Sequence, residues 1–160
     1  MKLKTIIITC ILFFSAIGMY AQDNKLFERF SNNKEITSVY ISKSILRLAP
    51  SMDLGDANIS NLIGKLDKLE IYTSENPSAV AMMKKEAASL MKGKTYESLM
   101  TVKDGDENVD FLIMADGQNI KEFLMVTAQP NECTIMRILG NFTMEDIQMV
   151  MSENKDGKKK

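Results

Sequence analysis

Apolar residues along the chain follow first a helical and then a strand period. In "NKLFERF" Leu26, Phe27 and Phe30 share one side, which predicts a short amphipathic helix behind an Asp23 or Asn24 cap. Over 36–42 the period falls to two, with Val39 and Ile41 on one side and Ile36, Ser38 and Tyr40 on the other, as in a strand. From Ser44 onward Ile45, Leu46, Leu48 and Ala49 predict a short helix stopped by Pro50, with Ser42 or Ser44 as its cap. After the loop "SMDLGDA", Ile59, Leu62, Ile63 and Leu66 fall at i, i+3, i+4 and i+7, one face of another helix. "LEIYT" (69–73) reads as a short strand. Asn76-Pro77 then opens a helix with an inner stripe of Val80, Met83, Ala87, Leu90 and Met91, ended by Gly93.

Beyond Gly93 the strand period takes over. "TYESLMTV" alternates, with Tyr96, Ser98, Met100 and Val102 on one face. The turn "KDGDEN", the strand "VDFLIMA", the turn "DGQN", the strand "IKEFLMVTA", the connection "QPNE" and the strand "CTIMRIL" follow in order. Four consecutive strands on short, turn-rich connections predict an antiparallel meander. "FLIM" and "FLMV" are apolar on both parities, which places 109–115 and 120–127 among the central strands. Thr143 caps a last helix in which Met144, Ile147, Val150 and Met151 share a face. The predicted fold class is α+β: an antiparallel sheet with a C-terminal four-strand meander, helices packed on one face. No Pro-, Gly- or Ser-rich linker divides the chain.

The first residues, "MKLKTIIITCILFFSAIGMYAQ", have another character. Lys2 and Lys4 form a positive start, Thr5 to Ile17 an apolar run, and small residues lead to a cut after Ala21. This is the pattern of a secretory signal peptide, too short to serve as a spanning helix. The domain reading is therefore signal peptide 1–21, one α+β domain 22–152, and a disordered basic tail 153–160. The expected destination is the periplasm or the outer envelope, with no transmembrane segment in the mature chain. Cys10 follows Ile8-Thr9, a poor lipobox, and cleavage there would leave "ILFF" on the product.

Composition narrows the chemistry. The chain has no histidine and two cysteines, and Cys10 leaves with the signal, so Cys133 has neither a disulfide partner nor an imidazole to activate it. It reads as a small buried hydrophobe. Removing Lys2 and Lys4 takes 20 basic residues to 18 against 21 acidic ones, and the net charge from -1 to -3. That balance carries no footprint for nucleic acid.

Three motifs invite chemistry. Ser42-Lys43-Ser44 could suggest a Ser-Lys dyad, but strand neighbours face opposite ways, and the residue three before Lys43 is Tyr40 rather than serine. A cap is the simpler role. "DGDENVD" places Asp104, Asp106, Asn108 and Asp110 like the start of a calcium loop, yet Val109 and Ala115 stand where that loop needs glycine and glutamate. Thirteen methionines, 11 once Met1 and Met19 are removed, suggest Cu(I), but Met83, Met91, Met144 and Met151 fall on inner helix faces and read as core. No metal and no cofactor is expected. Sequons at Asn58 and Asn141 matter only where glycosylation occurs.

The passages "VYISKSIL", "LDKLEIYTSEN", "YESLMTVKDGDENVDFLI" and "MRILGNFTMEDIQMVM" together resemble a family of exported Bacteroidetes proteins defined as domain of unknown function 4252. The resemblance covers essentially the whole mature chain and lies in core and turn residues. It implies a small periplasmic or outer-envelope domain, and it brings no catalytic residues. The expected function is a non-enzymatic interaction or regulatory domain with an envelope protein as partner. The alternative is a small-ligand or hydrolytic domain using carboxylates and hydroxyls in a pocket between sheet and helices, with Tyr40, Ser42, Lys43, Tyr96 and Glu97 as candidate residues.

Overall fold

A computed structural model describes residues 18–48, 64–146 and 148. Helix α1 (Gly18–Ser31) leads to strand β1 (Thr37–Ser42) and the four-residue helix α2 (Lys43–Leu46). Strand β2 (Leu66–Ser74), helix α3 (Pro77–Lys92) and strands β3 (Glu97–Asp104), β4 (Glu107–Asp116), β5 (Asn119–Ala128) and β6 (Cys133–Phe142) follow. All six strands form one antiparallel sheet in the order β1-β2-β6-β5-β4-β3. The fold is α+β, and β3 to β6 are the four-strand meander. The β3–β4 and β4–β5 hairpins turn on Gly105 (φ 58°) and Gly117 (φ 62°), each the first of two connecting residues. Only glycine takes that backbone region here without strain, and such turns match the twist of the strands they join.

The ladder aligns the core. On one face Tyr72, Ile135 and Val126 stand side by side, and Leu124 pairs with Leu112. These residues share one cluster with Leu26, Phe27 and Phe30 of α1 and with Ala79, Val80, Met83, Ala87 and Leu90 of α3. Phe27 stacks on Tyr72 at 5.8 Å between centroids, and Phe30 meets the same ring edge-on at 5.6 Å. Such pairs add about 0.5–1.5 kcal/mol each beyond the area they bury. A second cluster of Ile113, Ile120 and Phe142 lies at one end of the sheet, with Leu66, Leu99, Phe123 and Ile138 against it. There Gly140 has no room for a side chain, since a Cβ would sit 2.5 Å from both the Lys65 carbonyl oxygen and the Phe142 ring.

Helix α3 starts as its sequence predicts: the Asn76 carboxamide oxygen accepts from the Ser78 and Ala79 amides at 3.0 and 3.2 Å, with Pro77 in the first turn. The last helical turn, 144–146, is also capped as expected. Thr143 and Asp146 bond reciprocally, the Asp146 carboxylate accepting from the Thr143 amide at 2.8 Å and the Asp146 amide donating to the Thr143 hydroxyl at 3.4 Å.

Several local expectations are corrected. Helix α1 begins at Gly18, ahead of Asp23, and Asn24 lies inside it, where its carboxamide serves Arg137 rather than a cap. The helix after the opening strand is Lys43–Leu46 alone, with Leu46 buried and Ile45 and Leu48 exposed. Ser42 stands at its N-cap without a side-chain bond. Leu66 opens β2 rather than closing a helix, because the ladder to β6 captures it opposite Gly140. A bulge between Ser98 and Met100 splits the alternation of "TYESLMTV", leaving Ser98 opposite Leu112 while Met100 and Val102 turn to the other face. Met144 is exposed rather than inward. Residues 1–17 of the signal segment 1–21, the helical positions Ile59, Leu62 and Ile63, the later positions Ile147, Val150 and Met151, and the tail lie outside the described residues, while 18–21 form the start of α1.

Candidate functional site

The densest chemistry sits where the sequence shows only isolated charges. Tyr40, Glu70, Arg137 and Leu124 are neighbours in one row across β1, β2, β6 and β5. Arg137 is 4 % exposed, and its Nε and Nη2 donate to the two oxygens of Glu122 at 2.6 and 2.8 Å. Its Nη1 donates to Glu70 at 3.1 Å, and Nη2 also reaches the Asn24 carboxamide at 3.0 Å. The Phe27 ring lies 4.1 Å from the guanidinium carbon. Glu122 further accepts the Tyr96 hydroxyl at 2.7 Å, while Lys68 pairs with Glu70 at 2.7 Å and stands 5.7 Å from the centre of the Tyr40 ring. A continuous polar chain thus runs Tyr40, Lys68, Glu70, Arg137, Glu122, Tyr96.

Charge compensation outweighs burial in this chain. Burial disfavours the Arg137 cation, but the Glu122 and Glu70 carboxylates hold it protonated more firmly than in water. Burial also opposes ionisation of Glu70, yet the Lys68 hydrogen bond and the Arg137 charge keep its carboxyl below the usual range. Beside this chain a cleft of about 460 Å³ opens between α1 and β2, lined by Asn24, Glu28, Asn32, Lys68, Glu70 and Arg137 among others. Arg137 spends its donors within the protein, so the cluster fixes its own geometry. Lys68, Glu28 and Asn32 are the groups the cleft offers to a solute.

On the other face of the sheet the middle row is uncharged. One row across all six strands reads Val39, Ile71, Met136, Met125, Phe111, Met100, one residue from each. The four inner members are half-buried and the two end members, Val39 and Met100, are exposed at 44 % and 36 %.

The five residues singled out from sequence are divided by the fold. Tyr40 (64 % exposed) and Ser42 lie on the edge strand β1, and Lys43 pairs with Asp67 just beyond it. Tyr96 is buried at Glu122. Glu97 opens β3 at a separate cavity of about 510 Å³, with Ile113, Ile120 and Met144. The structure therefore links Tyr40 to Tyr96 through the ion chain but does not gather all five. Sequence reasoning missed Glu70, Glu122 and Arg137. Their signal was parity: Glu122 alternates with Leu124 and Val126, and Arg137 with Cys133 and Ile135, so charges occupy core positions of interior strands. Among the described residues no three His, Cys, Asp or Glu gather as a metal site. No helix there is long and apolar enough to cross a membrane.

No curated protein and no solved structure matches the chain. The model of the family described as Domain of unknown function (DUF4252) matches residues 28–150, most of the sequence, and the chain belongs to that family.

Proposed function

We propose that the chain is an exported, non-enzymatic interaction or regulatory domain of the cell envelope, and that it receives a protein partner on the sheet face turned away from α1 and α3. The observation that supports this reading is the uncharged row from Val39 to Met100, flanked by Ile41, Leu69 and Ile138 one step along the strands. A face of that width is larger than the scattered apolar residues of an ordinary surface. Its three methionines are soft and unbranched, suited to a partner whose side chains must be accommodated. Export, with cleavage after Ala21, accounts for the apolar first residues.

The test is site-specific crosslinking in the native envelope. A photo-reactive residue at Met100 should capture one protein, and the same group at Lys85, exposed on α3, should not. Val102→Glu should abolish the capture while leaving the fold intact. Equal capture from both positions, or none from folded and abundant protein, overturns the reading.

A second reading rests on the cleft beside Glu70 and Arg137. There a small polar solute would meet Lys68, Glu28 and Asn32, with Tyr40 and Ser42 on the neighbouring edge strand and Lys43 just beyond it, whereas Tyr96 and Glu97 would play no direct part. Calorimetric titration with free amino acids and dicarboxylates, compared between wild type and Lys68→Ala, decides it.

A further inference from the structure

The two edges of the sheet differ. Strand β3 is guarded: a bulge interrupts it between Ser98 and Met100, and Glu97, Lys103 and Asp104 put charges along it. Such devices keep an edge from pairing with another chain. Strand β1 has none of them. Its six residues, Thr37–Ser42, pair with β2 in unbroken register, carry no charge and include no proline. Val39 and Tyr40 stand out to solvent, and among the described residues no strand pairs with the outer side of β1.

The order of residues in β1 indicates its partner. In an antiparallel pair, directly opposite residues lie on the same face. A two-fold axis through Tyr40 would set Tyr40 against its own copy, Val39 against Ile41 and Ser38 against Ser42. Ring then meets ring, branched chain meets branched chain, and hydroxyl meets hydroxyl, each on its proper face. A shift by one residue would bring apolar side chains against the polar face.

We propose that β1 pairs with β1 of a second copy of this chain, with the two-fold axis at Tyr40, and joins two sheets into one of twelve strands. A self-complementary patch of this kind closes as a dimer and leaves no further edge of the same type. The apolar row continues through the junction, since Ile41 of one copy meets Val39 of the other. This dimer goes beyond the partner face proposed above and does not require it.

The full chain in a Cys10→Ser background tests it, because the remaining thiol, Cys133, is buried. Wild type should sediment as a dimer, and Val39→Lys as a monomer with the circular dichroism of the folded wild type. On mild oxidation Tyr40→Cys should yield a covalent dimer, whereas Ser38→Cys, placed opposite Ser42, should not. A wild-type chain that stays monomeric up to about 0.1 mM, far above the Kd of a specific interface, overturns the proposal. So does a dimer indifferent to Val39→Lys, or equal crosslinking of the two cysteine variants. Loss of capture at Met100 with the dimer intact would count against the partner face alone.

Discussion

Arg137 on β6 and Glu122 on β5 hold each other by two hydrogen bonds of 2.6 and 2.8 Å, both side chains almost fully buried. Two opposite charges inside an apolar layer leave each dependent on the other. Removing one alone strands a charge away from water, at a typical cost of 3–5 kcal/mol. Arg137→Met should therefore destabilise the domain by about 3–5 kcal/mol. Arg137→Met combined with Glu122→Leu should recover most of that loss. Urea unfolding of the two single variants and the double variant measures the coupling directly, and additive losses would contradict it.

Gly140 is fixed by close approach. Gly140→Ala forces either the Lys65 carbonyl or the Phe142 ring to move, and overpacking of this kind costs about 1–3 kcal/mol. Gly64→Ala is the control, because nothing lies within 4 Å of a Cβ there, and it should change stability by less than about 0.5 kcal/mol. Thermal midpoints of the two variants suffice to compare them.

Asp146 sets a pH dependence. The Lys65 hydrogen bonds, at 2.7 Å to each oxygen, together with the Thr143 amide, keep its carboxyl below the usual range. A carboxylate more acidic when folded contributes stability above its unfolded pKa, about 3.9, and loses it as the pH falls through the lower folded value. Glu70 acts in the same direction. Unfolding midpoints should drop below about pH 4 in wild type, and less steeply in Asp146→Asn, which has no such proton to take up.

Cys133 reports on opening of the core. Burial raises its thiol to about 11, so at neutral pH it is both inaccessible and protonated. In a Cys10→Ser background, labelling by a thiol reagent should proceed at the rate at which the sheet opens and accelerate sharply in urea. Immediate labelling of the folded chain would contradict its placement.

Much of this architecture was legible because it rests on local pattern. The meander followed from Gly105 and Gly117 between alternating runs, and helix α3 from Asn76-Pro77 at one end and Gly93 at the other. Long-range pairing was not legible. Leu66 has the spacing of a helix with Ile59 and Leu62, yet β6 draws it into a strand. The bulge at Ser98 reverses the faces of Met100 and Val102, and no single residue there announces it. The ion chain escaped for a similar reason. Its members lie far apart in sequence, and only the strand order puts Glu70 beside Arg137. Tyr40 and Tyr96 were singled out as hydroxyls, but the fold uses one at a sheet edge and the other as a buried donor to Glu122.

The position of β6 has a consequence for how the molecule comes into being. It is the last strand in sequence, yet it stands third in the sheet, between β2 and β5. A chain emerging from its N-terminus can form the hairpins of the meander as they appear, but the β1–β2 pair has no link to them until Cys133–Phe142 arrives. Synthesis through Phe142 thus precedes closure of the sheet. A product truncated before residue 133 would be two unmatched halves, each with a raw edge, rather than a smaller version of the same protein.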